Sequence, residues 1–254
     1  MELHGAIALV TGAGKRLGRA IALTLAEGGA DLILHVHSSK TEDLVRVIEV
    51  IERRDRRVFV IAADLSTPGG AERLVHEALR QTGAVDILIN SAAVFSATPF
   101  GSLNVGVWRQ IIQVNMSAPL ILATMLGQEM KKRGRGKIIQ LGDWSGQRPV
   151  RNYLPYCVAK GGLHMATVAL AKALAPQVQV NEVVLGPILP PADYSAHALQ
   201  ALSEATPLQR LGEPGDVLRA VRFLIEAGDF VTGASYVVDG GWLAQPPRGM
   251  STSL

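Results

Sequence analysis

Three side chains capable of acid–base chemistry fall within one short stretch of the sequence, Asp143 to Lys160. Tyr156 and Lys160 are four residues apart, a spacing that places a phenol and an ammonium on one face of a helix. Asp143 lies just past the apolar run 137–141, which is typical of a strand. We therefore expect a carboxylate at a strand end to meet a phenol and a lysine at one site.

The elements that would position this site alternate between strands and helices along the whole chain. Apolar runs predict strands at 6–11, 31–36, 58–62, 86–89, 137–141, 178–185 and 235–238. Helical periodicity and capping residues predict helices at 17–28, 41–54, 69–82, 105–133, 155–174, 196–203 and 217–227. Most of these strands are apolar on both faces, which indicates a parallel sheet covered by helices on both sides. The predicted fold class is α/β, with a single Rossmann-like, doubly wound parallel sheet.

The composition is that of one globular domain. The 254 residues show no composition break, so we expect one domain over 1–245 and a loose C-terminal tail over 246–254. The formal charge of +3 and the pI of 9.2 permit anionic ligands, but no groove-reading or aromatic-rich motif accompanies the basic clusters at 53–57 and 131–135. We expect neither nucleic-acid binding nor a bound metal.

The cellular setting is predicted from two further features. Cys157 is the single cysteine, so no intrachain disulfide can form, and a small buried side chain in a reducing compartment is expected. No uninterrupted apolar run approaches the ~18 residues of a membrane helix. The first residues also lack the basic and apolar regions of a signal peptide. We therefore expect a cytoplasmic protein that does not enter a membrane.

A glycine-rich turn over 11–18, with the sequence TGAGKRLG, joins the first predicted strand to the first predicted helix. Glycines let the backbone approach a pyrophosphate closely, and the helix N-terminus offers unpaired N–H groups and a positive dipole end. The strand–turn–helix context supports this interpretation, which glycines alone would not carry. The sequence therefore predicts a dinucleotide site at this turn.

The end of the second strand indicates which dinucleotide is bound. Sites for NAD place an acid there, whereas this strand ends in the segment His35 to Lys40, which contains none. Ser39 and Lys40 are positioned to hold a 2′-phosphate, and Lys15 and Arg16 add positive charge. The predicted cofactor is NADPH/NADP+. Asp64, after the third strand, is expected either to bind the adenine amine or to cap its own turn.

Several motifs, in the same order, resemble those of the short-chain dehydrogenase/reductase family. They are Thr11-Gly12 with Gly18, Asn90-Ser91-Ala92-Ala93, Asn115, Tyr156-Cys157-Val158-Ala159-Lys160, Val180-Asn181 with Leu185-Gly186-Pro187, and Asp239-Gly240-Gly241. The resemblance covers about residues 5 to 242. It implies catalytic roles for Asn115, Tyr156 and Lys160, a small-molecule substrate and a homotetramer. It also implies cofactor binding by Gly12, Lys15, Arg16, Leu17, Gly18, His37, Ser38, Ser39, Lys40, Asp64, Leu65, Asn90, Ala92, Tyr156, Lys160, Pro187 and Ile188.

Two departures from the family pattern resemble its pteridine reductase branch. Arg16 replaces the middle cofactor glycine, and Asp143 stands thirteen residues before Tyr156, where the family has its catalytic serine. The segment 34–37 and Phe95 are also similar to that branch. The resemblance to that branch implies that Phe95 stacks on a pterin and that Arg16 faces both the pterin and the pyrophosphate. Ser38 departs from the branch, which usually has an arginine there for the 2′-phosphate.

Aspartate in the serine position suits a pterin or folate-like substrate better than a ketone. An ionised carboxylate only accepts hydrogen bonds and would repel a developing alkoxide, whereas a pterin ring presents N–H and NH₂ donors. The predicted reaction adds a hydride from NADPH and a proton from Tyr156 across a C=N bond, with Asp143 beside the phenol. Lys160 is expected to lower the pKa of Tyr156, Asp143 to oppose that shift, and Asn115 to hold a relaying water.

Two alternatives remain open at this stage. One is a ketone reductase such as a 3-oxoacyl-carrier-protein reductase, for which Ser145 would have to serve as a serine displaced by two residues. The other is a non-catalytic NADP-binding protein, which the intact Asn115, Tyr156 and Lys160 disfavour. The segment 187–207 is expected to form a lid over the substrate, while His164 is expected to be an ordinary helix-surface residue.

Overall fold

The computed structural model describes residues 1–38, 42–190 and 194–245, which form one parallel sheet with helices on both faces. The strands are β1 (Ile7–Val10), β2 (Asp31–Val36), β3 (Val58–Ala62), β4 (Ile87–Asn90), β5 (Gly136–Asp143), β6 (Val178–Leu185) and β7 (Ser235–Val238). The helices are α1 (Arg16–Glu27), α2 (Glu42–Glu52), α3 (Gly70–Thr82), α4 (Val105–Ile112), α5 (Ala118–Lys132), α6 (Leu154–Leu174), α7 (Ala196–Glu204) and α8 (Pro214–Glu226).

The strand order is β3-β2-β1-β4-β5-β6-β7, and all neighbouring pairs are parallel. The direction of winding reverses between β1 and β4. In doubly wound sheets, ligands bind at this switch point, beyond the carboxyl ends of the strands. The predicted fold class is therefore confirmed, and the topology places the glycine turn after β1 and the end of β5 at the same edge.

Helices pack on both faces because the strands are apolar on both faces. Residues of α1, such as Ile21 and Leu25, pack with Val221 and Leu224 of α8 in one buried layer. The other layer joins α3, α5 and α6 to the opposite face of the sheet. The core thus holds the sheet rigid from both sides, and the loops at its carboxyl edge carry the polar groups.

One predicted helix is interrupted. The region expected to be helical over 105–133 contains a π-helical segment, Gln113–Ser117, between α4 and α5. The side chain of Asn115 donates to the carbonyl of Ile111, four residues earlier, at 2.9 Å. That bond competes with the regular backbone ladder and widens it by one residue. Thr41, the predicted cap of α2, and the tail over 246–254 lie outside the described residues.

By length and composition alone, the region Val105–Lys132 is apolar enough to cross a membrane. Half of its most apolar window is buried inside the domain. The buried side chains include Leu122, Leu126 and Met130, which pack in the layer against the sheet. These contacts are those of a core helix in a globular domain.

Candidate active site

A cleft of about 890 Å³ lies along the carboxyl edge of the sheet. Its wall begins at the glycine turn, passes the end of β2 and the segment after β3, and reaches the end of β5 and the start of α6. It brings together these predicted site residues: Gly12, Lys15, Arg16, Leu17, Gly18, His37, Ser38, Asp64, Leu65, Ala92, Phe95, Asp143, Tyr156, Lys160, Pro187 and Ile188. Ser39 and Lys40, predicted to hold a 2′-phosphate, lie outside the described residues.

The glycine turn has the shape of a phosphate cradle. Gly12 has a φ of 68°, a left-handed conformation that favours glycine. A Cβ atom added to Gly18 would lie only 2.4 Å from the carbonyl oxygen of Gly12. The N-cap residue of α1, Lys15, makes no side-chain capping bond, and the first turn holds no acid. The helix therefore presents its positive end to the cleft, which suits a pyrophosphate.

His35 supports this turn from below, and sequence reasoning did not identify that role. The backbone N–H of Gly12 donates to His35 Nδ1 at 3.2 Å, and His35 Nε2 lies 2.9 Å from the carbonyl oxygen of Ala63. This pair of contacts requires the neutral ring with its proton on Nε2. Burial lowers the pKa of His35, and the neighbouring His37 lowers it further. The signal for this role was His35 itself, a polar residue within the apolar run of β2.

Acidification is expected to loosen the turn through His35. Because its pKa in the folded state lies below 6.5, the unfolded chain binds more protons below that pH. The stability that neutral His35 contributes is complete above pH 6.5 and is lost as pH falls through the folded-state pKa. Urea unfolding at several pH values should show this loss, and His35→Gln should flatten it. His76→Gln, on the exposed face of α3, should not. An unchanged slope in His35→Gln would contradict the assignment.

Two residues predicted for the cofactor are placed differently by their hydrogen bonds. Asn90 is 3% exposed and donates to Gln140 and to the carbonyl of Pro119. Its side chain therefore joins β4 to β5 and α5, and Asn90 is absent from the residues that line the described cleft. Asp64 does line the cleft, but its Oδ1 accepts both the N–H and the hydroxyl of Ser66. Those bonds lower the pKa of Asp64 and show that it caps its own turn.

The acid–base residues meet at the inner end of the cleft. The Tyr156 hydroxyl donates to Asp143 Oδ2 at 3.3 Å, and Asp143 Oδ1 accepts the backbone N–H of Ser145 at 2.9 Å. Lys160 Nζ donates to the carbonyl oxygen of Leu141 at 2.6 Å. Strand β5 and helix α6 thus supply the carboxylate, the phenol and the ammonium from opposite walls.

The pKa of Tyr156 shifts in the direction opposite to the sequence-based expectation. Burial raises it well above 10, and the charge and hydrogen bond of Asp143 raise it further. Burial also lowers the pKa of Lys160, whose ammonium is turned toward Leu141. The net shift is thus upward, the direction expected from Asp143 and not the one expected from Lys160. The phenol keeps its proton at neutral pH, as a proton donor requires.

Phe95 forms one side of the mouth of the cleft. It is 47% exposed and stacks on Tyr153 with ring centroids 4.4 Å apart and planes 7° apart. Its edge contact with Tyr156 spans 4.9 Å between centroids. One aromatic platform therefore adjoins the phenol, in a position where a flat ring could stack within reach of Tyr156.

Arg16 reaches across the opposite side of the cleft to the predicted lid. Its φ of 50° is left-handed, and its guanidinium donates to the carbonyl oxygens of Leu189 and Pro190. Leu189 and Tyr194 line the cleft, as does Trp144 from the end of β5. The lid segment is therefore tied to the glycine turn through Arg16.

Asn115 and Ser145 complete the surroundings of the site. The Asn115 side chain exchanges hydrogen bonds with the backbone of Val94 at 2.9 and 3.2 Å, which ties the π-helical segment to the loop that carries Phe95. Its side-chain bonds are thus structural rather than directed at Tyr156. Ser145 lines the cleft, and its buried Oγ makes no hydrogen bond among the described residues.

Comparisons with known proteins agree with this fold. A family model described as enoyl-(acyl carrier protein) reductase matches residues 12–243. The chain is 32% identical over 251 residues to human dehydrogenase/reductase SDR family member 4, covering 94% of this chain and 88% of that protein. It is 29% identical over 241 residues to the acetoacetyl-CoA reductase of Allochromatium vinosum, covering 92% and 97% of the two chains. A blue fluorescent protein from a metagenomic library, crystallised with NADPH, superposes with a TM-score of 0.87 at 31% identity, covering 95% and 99%.

Proposed function

The chain belongs to the short-chain dehydrogenase/reductase family, and from this membership and the site geometry we propose that it is an NADPH-dependent reductase of a pterin or folate-like C=N bond. The observation that carries the proposal is the contact between Asp143 and Tyr156, 3.3 Å apart. A carboxylate occupies the place where a hydroxyl donor would serve a ketone. The substrate should therefore bring donors of its own.

The cleft fits NADPH/NADP+. The cradle of Gly12 and Gly18 would hold the pyrophosphate, and Lys15 and Arg16 at the start of α1 add positive charge. The length of the cleft, from the glycine turn to Lys160, suits a dinucleotide. The blue fluorescent protein that superposes on this chain binds NADPH. When bound, the cofactor would supply the hydride.

The protein residues would supply the proton and the orientation. Asp143 would accept hydrogen bonds from ring N–H and NH₂ groups and fix the orientation of the ring. Tyr156, kept protonated by burial and by Asp143, would donate its proton to the ring nitrogen as the C=N bond becomes CH–NH. Lys160 would hold the cofactor ribose. Asn115 would act by bracing the loop that carries Phe95.

The direct test measures NADPH oxidation with four substrates: biopterin, dihydrobiopterin, dihydrofolate and acetoacetyl-CoA. We expect turnover on at least one pterin or dihydrofolate with kcat/KM at least ten-fold above that on the thioester, a margin of about 1.4 kcal/mol. Turnover on acetoacetyl-CoA alone would contradict the pterin proposal. NADPH binding without any turnover would favour a non-catalytic binding protein.

Carbonyl reduction is the second candidate, and two observations favour it. An acetoacetyl-CoA reductase is among the relatives. The buried Oγ of Ser145 lines the cleft without a hydrogen-bond partner among the described residues, so it is a hydroxyl available to donate. If the protein reduces a ketone, Ser145→Ala should abolish that activity. If it reduces a pterin, Ser145→Ala should leave that activity intact. The two candidates therefore share Tyr156 as proton donor and differ in whether Asp143 or Ser145 contacts the substrate.

Truncating the aromatic platform should weaken substrate binding selectively. Phe95→Ala removes the ring that adjoins Tyr156, so we expect KM for the pterin to rise about ten-fold, from a stacking loss of about 1–2 kcal/mol. The Kd of NADPH should stay within about two-fold, because the cradle lies at the other end of the cleft. Steady-state kinetics measure the KM for the pterin, and fluorescence titration measures the Kd of NADPH. Phe223→Ala, on the exposed face of α8, is the matched control.

We further propose that the protein is a homotetramer in which α6 packs against a second copy. Leu154, Val158 and Met165 are 42, 44 and 66% exposed and lie on this one helix. Apolar side chains spaced by four and seven residues share one helix face. Analytical ultracentrifugation of the protein and of Met165→Glu tests this proposal.

A further inference from the structure

A row of polar side chains crosses the sheet in a layer that is otherwise apolar. Asn90 of β4, Gln140 of β5, Glu182 of β6 and Ser235 of β7 are successive Cα partners in the strand register. Asn90, Gln140 and Glu182 are 3, 0 and 1% exposed. Glu182 is the one member of the row that can carry a charge. A carboxylate buried this deeply is costly unless it is hydrogen-bonded and paired with a cation.

Helix α6 presents three ionisable side chains to the sheet at intervals of four residues. Tyr156, Lys160 and His164 therefore share one helix face. Tyr156 contacts Asp143 at the end of β5, and His164 Nδ1 lies 2.8 Å from Oε2 of Glu182. Lys160 lies between these two pairs along the helix. His164, expected to be an ordinary surface residue, is instead engaged with a buried carboxylate.

The carboxylate of Glu182 reaches over the backbone of β5 at Gly142. A Cβ atom added to Gly142 would lie 2.0 Å from Glu182 Oε1, so only a glycine leaves room for this carboxylate. Gly142 directly follows Leu141, whose carbonyl accepts the Lys160 ammonium at 2.6 Å. Glu182 and Lys160 therefore meet β5 at neighbouring residues, Gly142 and Leu141.

The hydrogen bonds of Glu182 hold it in this orientation. Both His164 Nδ1 and the Ser235 hydroxyl contact the same atom, Oε2, each at 2.8 Å. Because an ionised carboxylate only accepts, the ring N–H and the hydroxyl are both donors. Their convergence on Oε2 leaves Oε1 at Gly142, next to the residue whose carbonyl accepts from the Lys160 ammonium.

We propose that Glu182 is a positioning residue for Lys160: anchored by His164 and Ser235, its carboxylate is a buried counter-charge that favours the ammonium at its place beside Leu141. The proposal rests on the proposed function only in so far as Lys160 serves a bound NADPH, and it is independent of the substrate. The direction of the charge effects agrees with the geometry. Burial lowers the pKa of Lys160, while Asp143 and then Glu182 raise it.

The test removes the charge of Glu182 and measures NADPH binding as a function of pH. Among the described residues, the ionisable groups that act on Lys160 are Asp143 from β5 and Glu182 from β6, with Tyr156 on its own helix. Glu182→Gln should lower the Lys160 pKa by about one unit, because a buried negative charge is removed. NADPH affinity is measured by fluorescence from pH 6 to 10, and its decline at high pH is called the alkaline limb. In Glu182→Gln this limb should lie about one pH unit lower than in the unaltered protein. Within the alkaline limb, the Kd of Glu182→Gln for NADPH should be about ten-fold higher than that of the unaltered protein, with little change at pH 6.

The control is Glu226→Gln, which removes a carboxylate from the exposed face of α8, where it pairs with Arg222. Its alkaline limb should coincide with that of the unaltered protein. A merely structural role for Glu182 would lower the melting temperature and leave the limb in place, and that result would overturn the proposal. Because NADPH binding is the readout, failure here is distinct from failure to reduce a pterin.

Replacing the anchors provides a second route if Glu182→Gln does not fold. The double variant His164→Leu/Ser235→Ala keeps the carboxylate but removes both donors to Oε2. The limb should move in the same direction by about half a unit, because the carboxylate is free to turn away from Lys160. An unmoved limb in whichever of the two variants folds would overturn the proposal.

Discussion

Asp143→Ser should convert the specificity of the enzyme. We expect kcat/KM for the pterin to fall at least about 100-fold, a loss of about 3 kcal/mol, because one neutral hydroxyl replaces two charged oxygens that pair with the ring donors. Acetoacetyl-CoA reduction should rise about ten-fold, since the new hydroxyl can donate to a developing alkoxide. Steady-state assays of both substrates with the same protein preparation measure the two changes.

Asp143→Asn separates charge from shape in this experiment. The amide has the size of the carboxylate and loses its charge, so the pKa of Tyr156 should no longer be raised by Asp143. Pterin reduction should fall as in Asp143→Ser. If pterin reduction survives intact in Asp143→Ser, the role given to the carboxylate is wrong. NADPH affinity reports whether the cleft is preserved in each variant.

Tyr156→Phe should abolish reduction of every substrate. The hydroxyl is the proton donor in both candidate reactions, so we expect kcat to fall about 10³-fold. KM and NADPH affinity should change little, because the ring still packs against Phe95 at a centroid distance of 4.9 Å. Burial and Asp143 place the pKa of Tyr156 well above 10, so activity should not decline through loss of this proton near neutral pH.

Tyr236→Phe is the matched control for the loss of a phenol. Tyr236 lies on β7, is 47% exposed and packs beside Phe223, away from the cleft. Its removal should leave kcat unchanged. Residual turnover above one tenth in Tyr156→Phe would mean that another group, such as a water bound near Ser145, protonates the product.

The sequence predicted the parts of the site that depend on local spacing. Tyr156 and Lys160 share a helix face because four residues make about one turn. The glycine turn was recognisable because a tight strand-to-helix connection requires glycines at Gly12 and Gly18. Alternating apolar runs and helical periodicities likewise predicted the α/β fold, with differences mainly at element ends.

Tertiary structure decided every feature that depends on strand register and burial. Asp143 meets Tyr156 because β5 ends beside α6, and Glu182 meets His164 because α6 also packs against β6. No local period encodes such a pairing between distant segments. The same holds for the pKa of Tyr156, since its direction follows from desolvation and from the contact with Asp143. Asp143, first notable as a carboxylate in the place of a hydroxyl, thus acquired its partner only in the folded chain.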